Sequence, residues 1–119
     1  NKKATDEAID ERQWFNMANN VLKDGLKDQY KEIIISIISE NPHVKGILLF
    51  GSRAINTYKP NSDIDLALEG FELTMTDIAN MLDKLEGTSI PYKIDLIRVK
   101  TIENQNLLNH IKNHAITWF

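Results

Sequence analysis

Three short apolar runs, VKGILLF at 44–50, DIDLAL at 63–68 and YKIDLIRV at 92–99, alternate along this chain with segments of helical period. Runs of that length, bounded by turn residues, are too short for core helices and read as buried strands. Two of them carry an aspartate inside the apolar stretch, Asp65 and Asp95. A carboxylate in a buried strand is costly unless it is paired or metal-bound, so these acids are candidates either for structural pairing or for a metal site. The segments between them predict helices. Over 26–39, Tyr30, Ile33, Ile34, Ile37 and Ile38 form one stripe, which Asn41 and Pro42 stop. Over 74–85, Ile78, Met81, Leu82 and Leu85 face inward, with Thr76 as a candidate cap and Gly87 as the end. Over 104–114, Leu107, Leu108 and Ile111 make the apolar face. An earlier helix is expected over 5–22, followed by a break at Gly25, and a short helix over 52–57, opening at Gly51. The order predicts an α/β chain, more narrowly an α+β two-layer fold: a small mixed sheet of three or more strands flanked by helices. A helical extension over 1–24 and one domain over 25–119 are expected.

Composition narrows the class. The chain has 119 residues, no cysteine and a formal charge of −3. Without cysteine there is no disulfide framework, thiol nucleophile or cysteine zinc site. The acidic balance argues against bulk nucleic-acid binding. No apolar run approaches the ~18 residues that would span a bilayer, and the polar first residues carry no apolar signal-peptide core. A cytoplasmic location is the expectation. One domain of this size leaves little room for a large acceptor substrate.

The chemistry concentrates in GSRAINTYKPNSDIDLAL, residues 51–68. Asp63 and Asp65 are two apart on an expected strand, so both side chains leave one face. If the third strand neighbours the second, Asp95 joins them, and three carboxylates frame a site for one or two divalent cations. Hard cations such as Mg²⁺ take oxygen ligands, with phosphate and water completing the shell. Gly51 follows a strand directly, lets the backbone turn tightly and lets a ligand approach the main chain. Ser52 adds a hydroxyl donor, and Arg53 adds a cation suited to phosphate. A phosphate cradle beside a carboxylate cluster suits phosphoryl or nucleotidyl transfer.

The pairing of Gly51-Ser52 with Asp63-Ile64-Asp65, followed by Asp95 in a later strand, resembles the signature of the DNA polymerase beta-like nucleotidyltransferase superfamily. The short LLFGSRA…SDIDLAL form is most similar to the minimal nucleotidyltransferases (MNT), antitoxins of HEPN/MNT toxin–antitoxin pairs. The resemblance implies that Asp63, Asp65 and Asp95 are catalytic and ligate Mg²⁺, with Asp95 orienting or deprotonating the acceptor. It implies that Gly51, Ser52 and Arg53 bind the nucleotide. It also implies ATP as substrate, AMP transfer to a hydroxyl, and a HEPN-domain toxin, through a tyrosine, as partner. The family commonly continues GSRARG where this chain reads GSRAIN, so Ile55 and Asn56 depart from it. Two alternatives remain beside that reading: a catalytically degenerate antitoxin acting by stoichiometric contact, and a transferase to a small molecule such as an aminoglycoside. A homo-oligomer could complete the acceptor pocket.

Other patterns carry less. Gly46 to Ser52 has the glycine spacing of a P-loop, but the P-loop lysine is missing, Arg53 follows Ser52, and the middle is an apolar strand. His110 and His114 have the spacing of zinc ligands on a helix but lack a metalloprotease glutamate, and are expected to be partly exposed surface histidines. Trp14, Phe15, Trp118 and Phe119 either finish the core or face a partner.

Overall fold

A computed structural model describes residues 24–119. The helix expected over 5–22, with Trp14 and Phe15, lies outside them, as does nearly all of the expected extension over 1–24. Three helices and four strands follow: α1 Asp28–Ser39, β1 Gly46–Phe50, β2 Ile64–Glu69, α2 Met75–Glu86, β3 Ile94–Arg98, α3 Gln105–His114 and β4 Ile116–Thr117, with a 3-10 turn at Val99–Thr101. The sheet order is β3-β2-β1-β4. β1 runs antiparallel to both β2 and β4, whereas β2 and β3 are parallel. The sheet is therefore mixed, as the alternation of strands and helices predicts.

Period-two alternation decides what each face carries. Ile47 and Leu49 of β1, Ile64, Leu66 and Leu68 of β2, and Leu96 of β3 point to one face. There they pack with Ile34 and Ile38 of α1 and Ile78, Met81 and Leu85 of α2 to form the core. The second face carries Leu48, Phe50, Asp65, Ala67 and Asp95, and α3 lies against it at β1 through Leu108 and Ile111. No helix among the described residues is long and apolar enough to cross a membrane.

Four local differences from the sequence expectation have clear causes. Residues 52–56 form consecutive turns rather than a helix, closed by Ala54 N–H donating to Gly51 O (3.0 Å) and Thr57 N–H to Ser52 O (2.9 Å). A helix there would have to pass through Asn56, whose φ of 64° is left-handed. The cap of α2 is Thr74, not Thr76. Its hydroxyl accepts from Asp77 N–H, and the Asp77 carboxylate accepts from Thr74 N–H, a reciprocal capping box. Ile33, on the expected stripe of α1, is exposed. Finally, β4 adds an edge with no strand-like run of sequence behind it. Trp118 N–H donates to Ile47 O (2.8 Å) and Ile47 N–H to Phe119 O (3.2 Å), extending the pairing of β4 with β1. Trp118 is partly buried against the core while Phe119 is exposed.

Candidate active site

Parallel pairing of β2 with β3 sets Asp65 directly beside Asp95, as it sets Ile64 beside Ile94 and Leu66 beside Leu96. Neighbouring strands lie about 4.8 Å apart, so the two carboxyls meet on the second face, where a protonated Asp65 can donate to Asp95. The consequence is electrostatic. Burial pushes the Asp65 carboxyl above the usual carboxylate range, and the charges of Asp95 and then Asp63, with the hydrogen bond to Asp95, push it further. Lys93 pulls the other way, but weakly. Its Nζ stands 3.7 Å from Asp95 Oδ1, with both side chains well exposed. The pair therefore has more negative charge than the protein neutralises, and either a proton or a cation relieves it.

Asp63 sits one residue before β2, not within it. Its charge reaches Asp65, but the three acids are not drawn around one point: among the described residues no group of three or more His, Cys, Asp or Glu side chains is gathered to hold a metal. Mg²⁺ does not need such a cage. It characteristically takes one or two carboxylates and fills its octahedron with water and substrate phosphates. Two hard carboxyl groups in contact, destabilised by their own charge, fit that ion.

Gly51 closes the site on the β1 side. Phe50, at the end of β1, is the register partner of Asp65, and Gly51 then turns with φ +77°. A Cβ at Gly51 would collide with the Asp65 carboxylate, so only glycine lets the main chain pass this close to the acid pair. Gly51→Ala should destabilise the fold by about 1–2 kcal/mol through the left-handed backbone alone, and should also displace Asp65. Urea unfolding checks the first effect. A Gly51→Ala variant as stable as the wild type would show that the turn relaxes freely.

Arg53 is not where its charge suggested. Its side chain is 1% exposed. Nε and Nη2 donate to Ser62 O (3.2 and 3.0 Å), and Nη1 donates to Asp24 O (2.8 Å). The guanidinium also lies between the rings of Tyr58 and Tyr92, 5.0 and 4.7 Å from their centroids. Its donors are directed at main-chain carbonyls. Arg53 instead ties the turn after β1 to Ser62, the residue before Asp63. Gly25, at φ +75°, makes room for this: a Cβ there would press on Tyr58 and Arg53.

The two departures from the commoner GSRARG run are also resolved in part. Asn56 adopts the left-handed backbone that glycine takes freely and asparagine takes most readily of the other residues. The change from glycine thus preserves the turn. Ile55 is 42% exposed and its side chain faces outward from the turn. His110 is partly exposed, as expected, but is not an idle surface residue: its Nε2 accepts a hydrogen bond from Gly51 N–H at 2.9 Å. His114 is exposed. A cavity of about 480 Å³ between α2 and β3, lined by Leu82, Leu85, Ile90 and Tyr92, reaches Asp95.

A mixed sheet with an acid pair on adjacent parallel strands and a glycine turn against it defines a nucleotidyl-transfer fold. Residues 32–118 match the family model described as polymerase beta, nucleotidyltransferase. The chain belongs to that nucleotidyltransferase family. A Methanocaldococcus jannaschii protein bearing the provisional name protein adenylyltransferase is 33% identical over 84 residues, covering 67% of this chain and 82% of the relative. Among solved structures, a toxin–antitoxin complex with AMP-PNP is similar at 24% identity and a TM-score of 0.63, over 75% of this chain and 72% of the other. A tri-AMPylated Shewanella oneidensis HEPN toxin in complex with its MNT antitoxin matches at 19% identity and a TM-score of 0.61, over 79% of this chain and 72% of the other. At these identities the structural likeness is one of fold.

Proposed function

We propose that this chain transfers AMP from Mg·ATP to a hydroxyl of a partner protein, a tyrosine of a cognate HEPN-domain toxin, and acts as the antitoxin by doing so. The observation that carries the reading is the Asp65–Asp95 pair, set in register with the Asp65 carboxyl pushed above the usual carboxylate range, and with the Gly51 turn against it. The adenylyltransferase relative and the AMPylated-toxin complex among the fold neighbours support the choice of reaction and partner.

Asp65 and Asp95 would hold Mg²⁺, with Asp63 as a further carboxylate next to them. When bound, the ion neutralises phosphate charge and orients the α-phosphate for in-line attack. The Gly51–Ser52 turn receives the triphosphate. Asp95 takes the proton of the acceptor hydroxyl as its oxygen forms the new bond to the α-phosphorus. The bond from that phosphorus to the bridging oxygen breaks, and pyrophosphate leaves. The cavity that reaches Asp95 has a mixed lining, Leu82, Leu85, Ile90 and Tyr92 beside Glu86 and Lys93, which suits an acceptor whose hydroxyl sits on a ring.

The test pairs chemistry with neutralisation. Incubation with labelled ATP, Mg²⁺ and the HEPN partner should label the partner. Asp95→Asn should abolish both labelling and relief of toxicity. If Asp95→Asn still relieves toxicity, the protein acts by stoichiometric contact, and adenylyl transfer is not its means of neutralisation.

A further inference from the structure

The N–H of Gly51 is already engaged: it donates to Nε2 of His110, 59 residues further along, at 2.9 Å. His110 belongs to α3, which is anchored on the second face of the sheet by buried Ile111. The ring is itself packed. It meets Phe50 edge-on, with centroids 6.3 Å apart, and lies 5.5 Å from the ring of His114. Because Nε2 accepts, the imidazole is neutral with its hydrogen on Nδ1.

The position of this bond gives it weight. Glycine is the residue with the most backbone freedom to lose, and Gly51 holds an unusual φ of +77° directly against Asp65. Two hydrogen bonds fix the two peptide planes on either side of it. The plane after Gly51 is held by Ala54 N–H donating to Gly51 O at 3.0 Å. The plane before it is held by His110. Without the imidazole, the Gly51 N–H would lose this partner, and the first plane would be held only through the pairing of Phe50 with Asp65. The contact is long-range and comes from an element that contributes none of the acids.

We infer that His110 is a positioning residue for the nucleotide: it holds the Gly51–Ser52 turn in the shape that receives the triphosphate. The nucleotide part of this inference rests on the adenylyl-transfer reading. The part concerning the turn does not.

Three variants test it: His110→Leu, which removes the acceptor, His110→Gln, whose Oε1 can accept in place of Nε2, and His114→Leu as a packing control. Amide hydrogen exchange at Gly51, followed by NMR without nucleotide, reads the turn directly. Exchange should quicken about tenfold in His110→Leu, the scale of one lost hydrogen bond. It should return toward wild type in His110→Gln and stay unchanged in His114→Leu. The KM for ATP should rise about tenfold in His110→Leu, with the melting temperature nearly constant, and recover in His110→Gln. Unchanged exchange at Gly51 in His110→Leu overturns the inference. So does a lower KM, which would mean that His110 obstructs the nucleotide rather than preparing for it. So does a failure of glutamine to restore either readout. If the wild type itself shows no ATP-dependent transfer, the adenylyl-transfer reading fails, while the exchange measurement still decides the role of His110 in the turn.

Discussion

An Asp65→Asn protein should melt at a higher temperature than wild type in EDTA at neutral pH, yet transfer adenylyl groups about two to four orders of magnitude more slowly. The loss of transfer follows from removing a carboxylate that would hold Mg²⁺, and the gain in stability is electrostatic. Burial and the charges of Asp95 and Asp63 raise the Asp65 carboxyl above its unfolded value of 3.8. The folded chain therefore holds this proton more tightly than the unfolded chain does. Stability falls as pH rises from about the unfolded value through the higher folded one, and the full penalty remains above it. Asparagine carries no such penalty, and its amide can still donate to Asp95. The stabilising effect of the substitution should therefore shrink as pH falls toward 4, where wild-type Asp65 regains its proton. Adding Mg²⁺ should raise the melting temperature of wild type more than that of the variant, since a ligand stabilises the form that binds it. Calorimetry with and without Mg²⁺, at two pH values, measures all of this. A variant less stable than wild type in EDTA at neutral pH would mean that the acid pair is not under repulsion.

Removing Arg53 should have the largest effect on the fold. Arg53→Met should destabilise the protein by about 3 kcal/mol or more, because hydrogen bonds from a charged donor contribute roughly 1.5–3 kcal/mol each and two carbonyls lose theirs. For a chain of this size, that is a drop of about 10 °C in melting temperature. Arg53→Lys should recover little. An ammonium is a compact point charge. It cannot reach Ser62 O and Asp24 O together from a position close to the rings of both Tyr58 and Tyr92. Thermal unfolding of both variants is the measurement. If instead they fold as stably as wild type and lose only ATP affinity, the guanidinium serves the triphosphate rather than the turn.

The sheet and its acids could be read from the sequence because period-two patterning is strong in short strands. The alternation in 92–99 sets Asp95 opposite Leu96, and the structure keeps that assignment. Gly51 was legible for the same reason, since it ends an apolar run. What was not legible depended on contacts between distant residues. Arg53 carries a charge, and charged residues are rarely buried. Carbonyls 29 and 9 residues away in the chain, with the rings of Tyr58 and Tyr92, make its burial tolerable. His110 looked like half of a surface pair because its partner is a main-chain N–H, which leaves no mark on the sequence. β4 is two residues long and has no period to detect. The expected helix after Gly51 gave way to turns at Asn56. An asparagine where relatives commonly place glycine was the available signal.

The register of β2 on β3 has a consequence for how this site tolerates change. The spacing of Asp65 and Asp95 is set by ladder hydrogen bonds between neighbouring strands, not by the length of chain that joins them. Residues inserted or removed in the exposed turn after β2, around Phe71, would leave the two acids facing each other. A single residue inserted between Ile64 and Asp65 would turn every later side chain of β2 to the opposite face. The fold can therefore vary its connections widely across relatives while holding its reactive centre to a fixed geometry.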